Sequence, residues 1–175
     1  MMKNTTFTQG IATMVVSSAV LLTSTLGQDL DTNKRAIRDF VKQAESRFDS
    51  SKAGFVLKTK LDGRIVEEKF SYSTNGDDVE MLIVRYRDGA VDNEEYHYFK
   101  DRRLVYVIER QGIVDGGGPD WSGVYYFSNG KLLDHVTNGH GKSELDRWDP
   151  EDDVLRMSRK RMNQLRNHLK TRKQR

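Results

Sequence analysis

The chain has no cysteine among its 175 residues. That absence excludes disulfides, a thiolate nucleophile, cysteine-ligated zinc and a lipid-modified cysteine. Hydrophobic residues are scarce, at 36% against 31% charged. Net charge is nevertheless only +3, and 7 Phe, 7 Tyr and 2 Trp remain to build a core. A disordered chain would combine high net charge with few aromatics, so the composition argues for a folded protein. The apolar run Ile11 to Leu22 is interrupted by Thr13, Ser17 and Ser18. It falls short of the roughly twenty residues a membrane span needs. GxSxG, the kinase motifs and the dinucleotide fingerprint are all missing. The length fits one domain, or one domain plus a tail.

Residues 1–27 read as a secretory signal peptide. Lys3 supplies the basic n-region, Ile11 to Leu22 the apolar segment, and Thr25-Leu26-Gly27 the small residues that a signal peptidase reads. Cleavage is placed before Gln28. An uncleaved anchor and a buried N-terminal helix are the competing readings. The first is opposed by length, and the second by a run rich in Thr, Ser and Val that shows no polar face. The expected mature protein is soluble, secreted or periplasmic, with no stable membrane insertion. Without sulfur bridges it must hold its fold by burial alone.

Charge is divided unevenly. Residues 151–175 carry a net +6, whereas 28–150 carry a net −4. The asymmetry concerns partners rather than fold.

Hydrophobic periodicity places a first helix at 32–48, with Ile37, Phe40, Val41, Ala44 and Phe48 on one stripe and Asp31 or Thr32 as N-cap. From Gly54 the period changes to two. Strands are predicted at 54–61, 64–74, 78–87, 94–100, 103–110, 122–128 and 131–137. Asp62-Gly63 and Asn129-Gly130 are two-residue turns that tolerate positive φ; Asp101-Arg102 is the weakest turn, because arginine resists it. Short connections force antiparallel neighbours. Polar positions in the second and third strands predict one solvated face, with the first helix covering part of the other. A last helix is predicted from 150 to about 171, capped by Asp149 with Pro150 at the first helical position. Leu155, Met162, Leu165 and Leu169 form its narrow apolar stripe. The result is an α+β protein: signal peptide 1–27, a domain of helix plus a six- or seven-stranded antiparallel meander at 28–148, and a basic C-terminal helix at 149–175.

The basic helix is the first candidate site. Arg156, Arg159, Lys160, Arg166, Lys170 and Lys173 suit a polyanion. The competing reading docks the helix on the acidic body, its charges solvated or paired across the contact. No aromatic lies in 151–175, so base stacking has no platform and nucleic acid is not the expected partner. The second candidate is an aromatic groove of Tyr96, Tyr98, Trp121 and Tyr125, against core packing of the same rings. Tyr96 and Tyr98 share one strand face while His97 and Phe99 take the other. The loop 111–121, with three glycines between Asp115 and Asp120, matches neither the calcium loop nor the phosphate loop. His97, His135 and His140 are conceivable zinc ligands, but their spacing fixes no geometry, and no metal or cofactor is expected. Adjacent acids such as Glu67-Glu68 and Glu94-Glu95 point to opposite strand faces, which opposes shared acid–base work.

One repeat, offset by 28 residues, is visible. Tyr96-His97-Tyr98-Phe99-Lys100-Asp101-Arg102-Arg103-Leu104-Val105 parallels Val124-Tyr125-Tyr126-Phe127-Ser128-Asn129-Gly130-Lys131-Leu132-Leu133. These hairpins resemble those of uncharacterised exported bacterial proteins and, more loosely, the MORN-type β-hairpin repeat. Arg102 stands where that pattern has glycine. The resemblance implies no catalytic residues. The expected function is a non-enzymatic binding module of the envelope or secreted fraction, meeting an acidic partner or a ligand. The alternatives are a hydrolase built on loops 111–121 and 135–144, or a structural protein that oligomerises through the C-terminal stripe.

Overall fold

The computed structural model describes residues 18–49, 53–61, 63–114 and 120–173, without the side chains of 18–28 and Lys173. Most of the proposed signal peptide, Asp62 of the first turn and loop residues 115–119 lie outside the described residues. The element order is α1 (Ser18–Arg47), β1 (Gly54–Leu61), β2 (Arg64–Asn75), β3 (Asp78–Asp88), β4 (Val91–Lys100), β5 (Arg103–Ile113), β6 (Trp121–Ser128), β7 (Lys131–Gly139), a short 3-10 turn (Lys142–Glu144) and α2 (Pro150–Lys173). Among the described residues, no helix is long and apolar enough to cross a membrane.

The chain divides into two compact units at Asn33/Lys34. The first is, in its described part, the helical stretch Ser18–Asn33. The helix therefore begins well before the expected residue 32, and Asp31 and Thr32 are interior residues rather than caps. The reason is propensity: Leu21, Leu22 and Leu26 favour helix, and one interior glycine, Gly27, costs only about 1 kcal/mol, too little to stop it.

The second unit, Lys34–Arg175, is an α+β domain around one antiparallel sheet of seven strands in the order β1 to β7. Every pairing joins sequence neighbours, as the short turns require. The weakest predicted turn forms all the same. Asp101 and Arg102 both take positive φ, 51° and 63°, mirroring Asn129 and Gly130 at 51° and 78°. The repeat also survives in register. A bulge at Tyr98/Phe99 sets Val105 aside on β5, and one at Tyr126/Phe127 sets Leu133 aside on β7. Both extra residues pack toward α1. β4 and β5 run further than predicted, since Asn93↔Gln111 and Asp92↔Gly112 continue the ladder despite poor strand propensity.

α2 covers one face of the sheet and α1 only part of the other. On β1 and β2 that second face is wet as expected, with Val56, Lys58, Ile65 and Glu67 exposed. The first helix therefore covers part of the half-polar face rather than of the face opposite, which corrects the expected placement. On one side Val41 and Ala44 of α1 pack with Met81, Ile83, Tyr98, Tyr106 and Tyr126. On the other α2 docks, seating Leu165 among Phe70, Leu82, Val84 and Phe99, and Val154 among Val107, Trp121, Tyr125 and Phe127. His168 stacks on Phe55 with ring centroids 3.9 Å apart. Asp149 caps α2 as predicted, its Oδ1 accepting the amides of Glu151 and Asp152 at 2.9 and 3.1 Å. Of the polar residues in the second strand, Glu68 points under α2 and is paired there, while Glu67 and Lys69, with Arg85 of the third strand, stay exposed on the other side.

Candidate functional site

The buried stripe of α2 is Val154, Ser158, Arg161 and Leu165, spaced to fall on one side of a 3.6-residue helix. A cation thus sits in the contact. Arg161 is 3% exposed and donates Nε and Nη2 to Glu95 at 2.7 and 2.6 Å, and Nη1 to Glu68 at 2.6 Å. Gln164 donates to the second Glu68 oxygen at 3.0 Å, and His97 Nε2 lies 3.2 Å from Glu95. Burial alone would push Glu95 up; the bonds from Arg161 and His97 overcome it and hold the carboxyl at about 2. Both glutamates are the inward members of the adjacent acid pairs, whose partners Glu67 and Glu94 face outward.

A second buried group lies along α2 toward its start. Lys142 reaches Glu109 and Asp153, each at 2.6 Å, and stands 5.3 Å from the Trp121 ring centre. Tyr125 donates its hydroxyl to Glu109 at 3.3 Å. Burial raises the Glu109 pKa, against the opposing pull of Lys142, and the Glu95 and Asp153 charges add to the rise. Gly123 makes this possible: a Cβ there would meet the Tyr125 ring at 2.8 to 2.9 Å. Glu68 and Glu95 spend their bonding on their own neighbours, whereas Glu109 Oε1 is buried without a hydrogen-bond partner. The network fixes how α2 lies on the sheet.

Because Arg161 is the cation turned inward, the others turn outward. Arg156, Arg159, Lys160, Arg166 and Lys170 are exposed, and the side chain of Lys173 lies outside the described residues. Arg156 pairs with Asp153 at 2.9 Å. Arg159 donates to the Leu155 carbonyl at 3.1 Å. Among the described residues, Arg159, Lys160, Arg166 and Lys170 form no ion pair. The acidic body does not neutralise this face: Arg156 is paired within α2, and Arg159, Lys160, Arg166 and Lys170 stay unpaired on the docked helix.

The aromatic candidates do not come together. Tyr96 and Tyr98 lie on the α1 side of the sheet, Trp121 and Tyr125 on the α2 side. Tyr98, Trp121 and Tyr125 are core residues. Tyr98 donates to Glu45 at 2.7 Å, and Trp121 Nε1 to Ser143 at 3.0 Å. Tyr96 alone is partly open. It lies between Arg85 and Arg110, whose guanidinium carbons are 5.7 and 5.5 Å from the ring centre, and it donates to Glu94 at 2.9 Å. A cavity of about 510 Å³ beside it is lined partly by Lys69, Arg85, Glu94 and Arg110. Of its lining cations, Arg85 pairs with Glu94 at 2.8 Å and Arg110 lies 4.0 Å from the same carboxylate, while Lys69 forms no ion pair among the described residues.

Of the histidines, His97 is buried on Glu95, His135 stacks 6.1 Å from Tyr125, and exposed His140 meets Glu144 at 2.7 Å. No cluster of three or more potential metal ligands occurs among the described residues. Glycines 116–118 lie outside the described residues, so the 111–121 half of the hydrolase alternative is described only at its ends.

The sequence reading missed Arg161, Glu68, Glu95, Glu109 and Lys142. The adjacent acids, each forced to send one member inward, were the available signal. No family model matches the chain, and neither does any curated protein or solved structure.

Proposed function

We propose that this protein is an exported, non-enzymatic binding module that holds a polyanionic partner, an acidic envelope component, on the outer face of α2. One observation carries the reading: Arg159, Lys160, Arg166 and Lys170 project from a helix locked in place by buried Arg161, and none of the four has a carboxylate partner among the described residues. Rigid, unpaired cations concentrate a field that exposed pairs would cancel. Export rests on residues 1–27 as read above. Cleavage before Gln28 would spare the α1 residues of the core cluster, Ile37, Phe40, Val41, Ala44 and Phe48.

Titration of fluorescent polyaspartate at increasing salt tests the binding. Affinity should fall steeply with ionic strength, and Arg159→Gln with Lys160→Gln and Arg166→Gln should flatten that slope. Salt-independent binding, or an unchanged slope in the triple variant, would overturn the reading. Intact residues 1–27 on protein recovered from the exported fraction would overturn the cleavage.

A further inference from the structure

We infer that the slot between α2 and the β4–β5 hairpin binds a single-chain anionic amphiphile, its chain along α2 and its headgroup on Arg102, Arg159 and Arg166. This deepens the reading above, since two of these arginines belong to the cationic face.

The slot is a cavity of about 330 Å³ with apolar walls from Phe99, Leu104, Leu155 and Met162. A second cavity of about 290 Å³ shares Phe99, Arg102, Met162 and Arg166 with it and runs on to Leu169. From Leu155 to Leu169 the helix rises about 21 Å, which favours an elongated, unbranched occupant. These volumes sit near the lower end of the range for small-ligand sites, about 300 Å³.

Two further observations point to a ligand. Ser158, 2% exposed, lines the slot, and its Oγ has no hydrogen-bond partner. A buried hydroxyl left unpaired costs about 1–3 kcal/mol, so a polar atom brought by a ligand would be rewarded there. The second is Arg102. Its φ of 63° is a conformation that costs a non-glycine residue about 1–2 kcal/mol. The sister hairpin makes the same turn with Gly130, at no such cost. What arginine adds is a guanidinium at the mouth of the slot. Asp78 holds its Nε at 2.6 Å, orienting the fork and offsetting its charge, and Asp77 and Asp78 line the second cavity. The net positive charge at the mouth comes from Arg159 and Arg166, which form no ion pair among the described residues. An apolar slot with a cationic mouth is complementary to one alkyl chain carrying one anionic headgroup. A carboxylate and a phosphate headgroup share that chemistry.

Calorimetric titration of the full chain with dodecanoate and dodecyl phosphate, each below its micellar concentration, and with dodecanol below its solubility limit, tests the proposal. Either anion should bind at least about tenfold tighter than dodecanol, a charge-assisted contact of modest size; the stronger of the two identifies the headgroup. Ser158→Met, which fills the slot without touching a cation, should weaken the anion about tenfold. Arg102→Gly should weaken it while leaving the unfolding midpoint unchanged or higher. Equal affinity for dodecanol, no binding, or indifference to both variants would overturn the proposal. Polyaspartate binding should be unaffected by Ser158→Met. If polyaspartate fails to bind and dodecanoate binds, the slot stands and the polyanion reading falls; the converse result removes the slot alone.

Discussion

Replacing Arg161 with methionine removes one charge from the interface between α2 and the sheet and leaves two behind. Glu68 and Glu95, 3% and 4% exposed, would lose three bonds of 2.6 to 2.7 Å. Breaking a buried pair by deleting one partner costs about 3–5 kcal/mol. The carboxyl itself gives a similar figure by another route. Glu95 is held at about 2 against an ordinary 4.5, a difference on the order of 3 kcal/mol. Set against a total of about 5–15 kcal/mol, the loss is a large share of the stability. The sign with pH is determined. A depressed folded pKa contributes stability above the ordinary value, and that contribution fades as pH falls from 4.5 toward 2. In Arg161→Met, burial without that cation raises the Glu95 carboxyl, so it protonates on mild acidification and the deficit narrows between pH 7 and about 4.5. Urea unfolding followed by Trp121 and Trp148 fluorescence at both pH values measures this. Adding Glu68→Gln and Glu95→Gln to Arg161→Met should recover much of the loss at pH 7. A deficit under about 1 kcal/mol, or one that does not shrink on acidification, would refute the anchor.

Other perturbations follow from the same contacts. Glu109 has a raised pKa, so its contribution is present below the ordinary carboxylate value and lost as pH rises through the raised one. Glu109→Gln should therefore flatten the decline of stability toward neutral pH; a profile matching the unmodified protein would count against the assignment, with Lys142 still held by Asp153. Gly123→Ala should cost about 1–3 kcal/mol by pushing the Tyr125 ring off Glu109, readable as a lower urea midpoint. Arg102→Gly relieves an unfavourable turn and gives up only an exposed ion pair worth about 0–1 kcal/mol, so its midpoint should hold or rise; a clear fall would mean the Asp78 bond is structural. Asp149→Ala should cost about 1 kcal/mol and fray the first turn of α2, visible in amide exchange at Glu151 and Asp152.

The meander was legible because each strand carries its own information. Gly63, Asn129 and Gly130 adopt the positive φ that their identity suggests, and the alternation around Tyr96, His97, Tyr98 and Phe99 assigns those rings to opposite faces. The Asp149-Pro150 start of α2 was equally plain, since a cap is a local device. The start of α1 was misread because a stripe locates the part of a helix that packs, not the part that merely continues. Propensity carried the helix back to Ser18.

The buried network resisted reading for a different reason. Arg161 lies 66 residues from Glu95 and 93 from Glu68 along the chain. In sequence it is one more cation in a basic tail. Its neighbours Lys160 and Met162 differ in burial from it only because a helix turns 100° per residue, and which azimuth meets the sheet depends on the whole apolar stripe. The predicted stripe of Leu155, Met162, Leu165 and Leu169 was centred to one side of the true one. Leu165 is buried and the other three flank it, while Val154, Ser158 and Arg161 complete the contact. That rotation matters for function. It takes one cation out of solvent, aims Arg159 and Arg166 along the edge where Phe99 and Leu104 are exposed to the slot, and leaves Ser158 facing it without a partner. The charge that holds the helix and the charges available to a ligand thus come from the same run of residues, sorted by a rotation of the helix about its axis.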